Sequence, residues 1–226
     1  MSYLGSKAAS GLFQNIIALM PAHDTYIESH LGSGAVMKRK PSSLNNIGID
    51  IDSETLKNFN CDYSVNLINA NAHDFLKSYN YSGRELIYCD PPYLLSTRTS
   101  RHRYRFEYTK QDHIELLKLL KTLPCKIIIS GYPSQLYDNY LKDWNNMELQ
   151  AMTRGGVRTE KLWFNYNIDS AYWSSYAGQN FTDRQRIKRK ATRWAKNYQE
   201  LSKSERLAIL AAIMEIEVKD NSTDPI

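Results

Sequence analysis

The sequence predicts an α/β fold: an open, mostly parallel sheet that ends in an antiparallel hairpin and is followed by a short helical extension. Three observations predict it. Up to about residue 166, short apolar runs alternate with helical patterns, the order of a parallel sheet with crossover helices. The last two apolar runs are joined only by Thr153-Arg154-Gly155-Gly156-Val157-Arg158-Thr159-Glu160, and a Gly-Gly pair between strands is a turn signal. Beyond residue 178 the pattern turns helical and basic.

Taken in order, the predicted strands cover residues 26–28, 46–50, 64–69, 85–89, 126–130, 147–152 and 161–166. Helical patterns fall near 11–20, 53–59, 72–79 and 111–120. A Tyr/Ser-rich connector spans 170–178. After it, Thr182-Asp183-Arg184-Gln185 has the form of a capping box, opening a helix over 183–199. Ser202-Lys203-Ser204-Glu205 has the same form and opens a second helix over 202–216. Residues 1–178 therefore read as one domain, 179–220 as a basic two-helix extension and 221–226 as a frayed tail.

Charge separates these parts. The 226 residues carry 29 Lys and Arg against 24 Asp and Glu, a net +5. Residues 182–200 alone net +5 and residues 94–110 net +4, so the rest of the chain is mildly acidic at −4. Two compact basic segments on an acidic body point to a polyanionic partner or to solvated surface. The opening Met-Ser-Tyr-Leu-Gly-Ser-Lys has no apolar signal region, and no apolar run approaches the roughly 18 residues of a membrane span. Cys61, Cys89 and Cys125 are widely spaced without a CxxC, which fits a reduced cytoplasmic protein. His23, His30, His73, His102 and His113 lack metal-ligand spacing, so no metal is expected.

Two motifs carry chemistry. In Ile87-Tyr88-Cys89-Asp90-Pro91-Pro92-Tyr93 an apolar strand runs into an acid, two prolines and an aromatic ring. Ligands of open α/β sheets sit beyond the carboxyl ends of strands, where this segment would lie. The prolines fix φ and donate no hydrogen bond. A carboxylate and a rigid carbonyl could then accept both hydrogens of a primary amine, with Tyr93 offering a face for a base. The alternative is a plain strand-ending turn. The second motif follows the first strand: Glu28-Ser29-His30-Leu31-Gly32-Ser33-Gly34, a GxG loop expected to open a helix. Asp50 ends the next strand, where a carboxylate can grip ribose hydroxyls, and Met37 in place of a third glycine argues against a dinucleotide.

This ordered set resembles the Dam-like phage and bacterial DNA adenine-N6 methyltransferases that use S-adenosylmethionine. Tyr3-Leu4-Gly5-Ser6-Lys7 is similar to their N-terminal aromatic-x-Gly-Ser-Lys motif. Glu28 and Leu31-Gly32-Ser33-Gly34 are similar to the cofactor loop, and Asp50-Ile51 to the ribose-binding acid and its neighbour. Asp90-Pro91-Pro92-Tyr93 matches the catalytic motif, and Arg158-Thr159-Glu160-Lys161-Leu162-Trp163-Phe164-Asn165-Tyr166 a late strand. The resemblance covers about residues 1–166. It implies a Rossmann-like methyltransferase sheet and a cofactor site that includes Tyr3 and Lys7. Where the family often has an acid followed by Ala against the cofactor's adenine, this chain has Asn71-Ala72, with Asp74 nearby, and these are expected at the cofactor. Larger relatives insert a target-recognition segment before the catalytic motif. Here only 55 residues separate Gly34 from Asp90, and the predicted elements consume them.

The resemblance implies methyl transfer to the N6 amine of adenine in DNA. Asp90 and the Pro91 carbonyl would accept the amine hydrogens, and Tyr93 would stack on a flipped-out base. The DNA contacts expected are Arg98, Arg101, Arg103, Tyr104 and Arg105 after the catalytic motif, Arg154 and Arg158 at the hairpin, and Lys188, Arg189 and Arg193 on the extension. Ile187, Ala191, Trp194 and Ala195 form one apolar stripe on that basic helix, expected to pack on the second helix. The short recognition equipment predicts a short or relaxed target sequence. RNA adenine or cytosine-amine methylation would use similar chemistry, and a non-enzymatic nucleic-acid binder on the same fold is the alternative of another class. The setting expected is the cytoplasm of a bacterial or phage-infected cell.

Overall fold

The computed structural model describes residues 7, 11–98, 104–153, 156–168 and 181–222. The chain divides into two compact units, Met1–Tyr176 and Ala177–Ile226.

The first unit is a seven-stranded sheet. Its strands are β1 (Thr25–Glu28), β2 (Asn45–Asp50), β3 (Asn66–Asn69), β4 (Glu85–Cys89), β5 (Lys126–Gly131), β6 (Asn145–Thr153) and β7 (Gly156–Phe164), in the spatial order β3-β2-β1-β4-β5-β7-β6. β1 to β5 pair in parallel; β7 inserts antiparallel between β5 and β6. The predicted edge hairpin is therefore present, with its turn residues Arg154 and Gly155 outside the described residues. The chain order reverses between the adjacent strands β1 and β4. Their connections leave in opposite directions there, opening a crevice beyond their carboxyl ends.

Pleating explains the core. Side chains alternate across a strand, so Leu86 and Tyr88 of β4 pack on one face and Ile87 and Cys89 on the other. The first face is covered by α1 (Leu12–Leu19), through Ile16 and Ile17, and by the segment after β1, through Val36 and Met37. The second is covered by α3 (Ala72–Ser78), α4 (Lys110–Leu120) and α5 (Gln135–Tyr140), through Leu76, Leu116, Leu117 and Tyr137. Burial on both faces makes the central strands continuous apolar runs.

Two local expectations change. The GxG loop opens a series of turns, not a helix. Gly32 and Gly34 take φ of 49° and 62°, left-handed values that interrupt helical geometry. α5 carries no periodic signal in six residues; it forms where Ser134 Oγ accepts the Tyr137 N–H at its start. Between β2 and β3 the short α2 (Ser53–Lys57) is capped by Asp52 in the same way.

The second unit consists of α6 (Phe181–Gln199) and α7 (Lys203–Ser222). α6 begins one residue before Thr182, so Thr182 lies inside the helix and the first predicted capping box does not form. The second does: the Ser202 N–H donates to Glu205 Oε2 (2.8 Å), and the Glu205 N–H to Ser202 Oγ (3.4 Å). Tyr198 OH donates to the Arg206 carbonyl across the turn (3.1 Å). The stripe expected to pack on α7 is exposed at Ala191, Trp194 and Ala195. Leu207, Leu210, Ile213 and Ile216 of α7 are exposed as well. An amphipathic stripe finds its partner only if the turn lays the second helix alongside, and this turn does not. No described helix is long and apolar enough to cross a membrane.

Candidate active site

The crevice beyond β1 and β4 holds a cavity of about 440 Å³, within the usual range for small-molecule sites. The ends of four parallel strands build its walls. After β1 come Glu28, Leu31, Gly32 and Ser33; after β2, Asp50, Ile51 and Asp52; after β3, Asn71, Ala72 and His73; after β4, Asp90 and Pro92. Tyr104, Arg105, Phe106 and Tyr108, from the segment that follows β4, close it.

The cofactor-loop residues hold one another in shape. Asp50 Oδ2 accepts the Gly32 N–H (2.8 Å) and Oδ1 the Asp52 N–H (2.9 Å), so one half-buried carboxylate ties together two loops of the cavity. Burial raises its pKa, against these backbone donors. Gly34 does not line the cavity. Its left-handed φ turns the chain, and a Cβ there would come within 2.2 Å of Phe59 Cε2. Glu28 Oε2 accepts from Tyr26 OH (3.1 Å) and the Met37 N–H (2.9 Å), and burial pushes its pKa up to about 8. Asn71 caps α3 by accepting the His73 N–H (2.8 Å). Asp74, expected at the cofactor, is exposed in the first turn of α3 and does not line the cavity, because helix geometry turns it away where His73 faces in. Tyr3 lies outside the described residues.

At the Asp90-Pro91-Pro92-Tyr93 motif, Lys7 reaches Asp90 rather than standing apart from it. Lys7 Nζ donates to Asp90 Oδ1 (2.7 Å), and Ser130 Oγ donates to the same oxygen (2.9 Å). Among the described residues, Oδ2 takes no hydrogen bond. Burial alone would lower the Lys7 pKa, but the charges of Asp90 and Glu160 outweigh it and hold the ammonium charged. Tyr93 differs from expectation. It is buried, with the Lys7 ammonium 4.5 Å over its ring and Tyr132 packed edge-on at 4.6 Å. Its hydroxyl accepts from Lys7 and donates to Glu160 Oε2. No face is left for a base. Pro91 is likewise buried and does not line the cavity; Pro92 does. The aromatic rings that do line it are Tyr104, Phe106 and Tyr108.

The expected nucleic-acid contacts divide. Arg98 lies with its guanidinium on Glu107, donating through both Nη atoms, and its side chain is only 4% exposed. Arg105 donates to both oxygens of Asp52 (2.9 and 3.1 Å) at the cavity mouth. Arg158 donates to Tyr132 OH (2.9 Å). These three are engaged within the fold. Lys188, Arg189 and Arg193 are exposed on α6, and Arg101, Arg103 and Arg154 lie outside the described residues.

The structure adds residues that carried no expected role. His30 Nε2 pairs with Tyr108 OH (2.9 Å), and His73 and His113 each meet the Tyr108 ring edge-on at 5.4 Å. Burial pushes the His30 pKa down to about 3 and that of His113 to about 4. These are neutral packing histidines, and among the described residues no His, Cys, Asp and Glu group gathers as metal ligands would. Glu160 was visible only as one letter in a strand motif.

Comparison with curated proteins returned no match. Among solved structures, protein LPL1258 from Legionella pneumophila aligns with a TM-score of 0.50 at 11% identity, over 82% of this chain and 90% of that one. TrmN from Thermus thermophilus aligns at 0.47 and 13% identity, over 71% of this chain and 52% of that one. At such identities the likeness is one of fold. The sequence itself matches a family, over residues 49–154 from the end of β2 to the tip of the β6–β7 hairpin: the D12 class N6 adenine-specific DNA methyltransferases.

Proposed function

We propose that this chain transfers a methyl group from S-adenosylmethionine to the N6 amine of adenine in DNA, at a short or relaxed target sequence. The observation that carries the reading is Asp90. It stands at the end of β4 on the cavity wall, with one carboxylate oxygen pinned by Lys7 and Ser130 and the other taking no hydrogen bond among the described residues. The matched family supports adenine as the target.

The cavity residues fit the cofactor. Asp50 spends one lone pair of each oxygen on backbone N–H groups and keeps the others for ribose hydroxyls. Ile51 presents an exposed apolar side chain to the cavity, suited to the flat face of a purine. Leu31, Gly32, Ser33, Asn71 and Ala72 complete the holding wall. S-adenosylmethionine, when bound, supplies an electrophilic methyl group on a sulfonium. The adenine amine is a weak nucleophile because its lone pair is delocalised into the ring. Asp90 Oδ2 accepts one amine hydrogen and so draws that lone pair back to nitrogen. Holding the two reactants in line is the larger effect, and orientation alone can contribute roughly 7–11 kcal/mol.

A base in a duplex must leave the stack to reach Asp90, which costs a few kcal/mol. With Tyr93 buried, Phe106 is the exposed ring on the cavity wall that can receive it. The exposed basic residues Lys188, Arg189 and Arg193 supply phosphate contacts that bring affinity and little sequence information. Between Gly34 and Asp90 the chain is filled by β2, α2, β3, α3 and β4, which supports a small reading surface.

The test is incubation of the purified protein with methyl-labelled S-adenosylmethionine and unmethylated DNA or RNA, followed by nucleoside mass spectrometry. N6-methyladenine in DNA is expected. Label confined to RNA would replace the substrate, and cofactor binding without any transfer would favour a binding protein. Mapping to one site of five or more bases would overturn the relaxed target.

A further inference from the structure

Glu160 is left without a task by this reading. It is 7% exposed, and burying a carboxylate is costly unless the fold pairs it. Its partners are Lys7, which touches Asp90, and Tyr93 of the motif itself. Glu160 Oε2 lies 3.7 Å from Lys7 Nζ and accepts the Tyr93 hydroxyl. The sheet explains the placement. β7 runs antiparallel beside β5, with Leu162 opposite Ser130, the residue that donates to Asp90. Alternation puts Glu160 on the same side of β7 as Leu162, one step nearer the crevice.

We propose that Glu160 is a positioning residue. It holds the Lys7 ammonium and the Tyr93 hydroxyl so that Lys7 restrains Asp90 through Oδ1 and leaves Oδ2 for the substrate amine. The chain is continuous: Lys7 donates to Asp90 and to Tyr93, and Tyr93 donates to Glu160. Between two carboxylates the ammonium has one stable place. Without Glu160 the ammonium loses one of its two carboxylates and the Tyr93 hydroxyl loses its acceptor, so Asp90 loses the fixed anchor that sets its orientation. The role in transfer rests on the function proposed above, in which Asp90 receives the amine.

The experiment uses the full chain with Glu160→Gln, a neutral side chain of the same shape. Methyl transfer should fall about 100-fold in kcat, the scale of an ångström-level misplacement, while affinity for S-adenosylmethionine is retained. In parallel, ¹³Cε-lysine NMR follows the titration of Lys7, which should move to lower pH in the variant. An unchanged kcat, a loss of kcat matched by lost cofactor affinity, or an unmoved Lys7 titration would each overturn the proposal. If Glu160→Gln does not fold, Glu160→Asp goes through the same measurements, with the same direction expected and a smaller size. The NMR readout needs no nucleic acid. A wild type that methylates no adenine therefore sinks the functional reading, while Lys7 still decides whether Glu160 holds it.

Discussion

The sheet unit and the helical unit differ in what they take out of water. The sheet unit takes Lys7, Glu28, Glu160 and His113 out of water and gives each a partner. The helical unit leaves Trp194, Leu207, Ile213 and Ile216 in water. Polar groups are worth burying only where neighbours fix their geometry, and in the sheet unit some of those neighbours are distant in the chain, as Asp90 is for Lys7 and Tyr93 for Glu160. In the helical unit the chain has only its own turn to work with. The contrast says where chemistry can reside: in the unit that can hold a charge still.

The largest effect should come from breaking the sheet unit at its carboxylate. Asp90→Ala should lower methyl transfer on the order of 10³-fold while S-adenosylmethionine still binds, measured by label transfer and by calorimetry. Normal transfer by that variant would end the proposed chemistry. Stability sharpens the same contrast. Ile128→Ala in the core should cost about 2–5 kcal/mol in denaturant unfolding, whereas Leu207→Ser with Ile213→Ser should stay within about 0.5 kcal/mol per site. A large loss from the second pair would show that those faces are covered in solution.

Acid should act on the sheet unit too. Burial holds the His113 pKa at about 4, below the ordinary 6.5, so the folded state binds fewer protons in that window. Its stability contribution is present above pH 6.5 and is lost as pH falls through 4. Glu28 works in the opposite sense. Its pKa of about 8 lies above the ordinary 4.5, so its contribution is full below 4.5 and is lost as pH rises through 8. Thermal melts from pH 7 to 4 should show a shallower acid decline in His113→Asn than in wild type. The smallest change belongs to the helical unit. Lys188, Arg189 and Arg193 all replaced by Gln should reduce the salt dependence of DNA binding by about 2–3 in log–log slope, with cofactor affinity unchanged.

The strand positions, the edge hairpin and the place of Asp90 at a strand end were legible because each is written in local periodicity or in a short motif. The arginines of the segment after β4 were legible as charge but not as partners. Arg105 meets Asp52 from 53 residues away while its side chain stays 64% exposed, and Arg98 turns back on Glu107 and is buried. The burial of Tyr93 was illegible for the same reason, since its partner Glu160 lies 67 residues further on.

By itself the sequence determined the α/β alternation, the acid at the end of β4, the acid at the end of β2 and the basic character of α6. Apolar spacing and side-chain type suffice for these. Only the tertiary structure decided that Lys7 sits on Asp90, across 83 residues, and that β7 brings Glu160 to both Lys7 and Tyr93. The physical reason is the strand order. Setting β7 beside β5, and β5 beside β4, puts one late carboxylate next to an early lysine, and no local pattern encodes that adjacency.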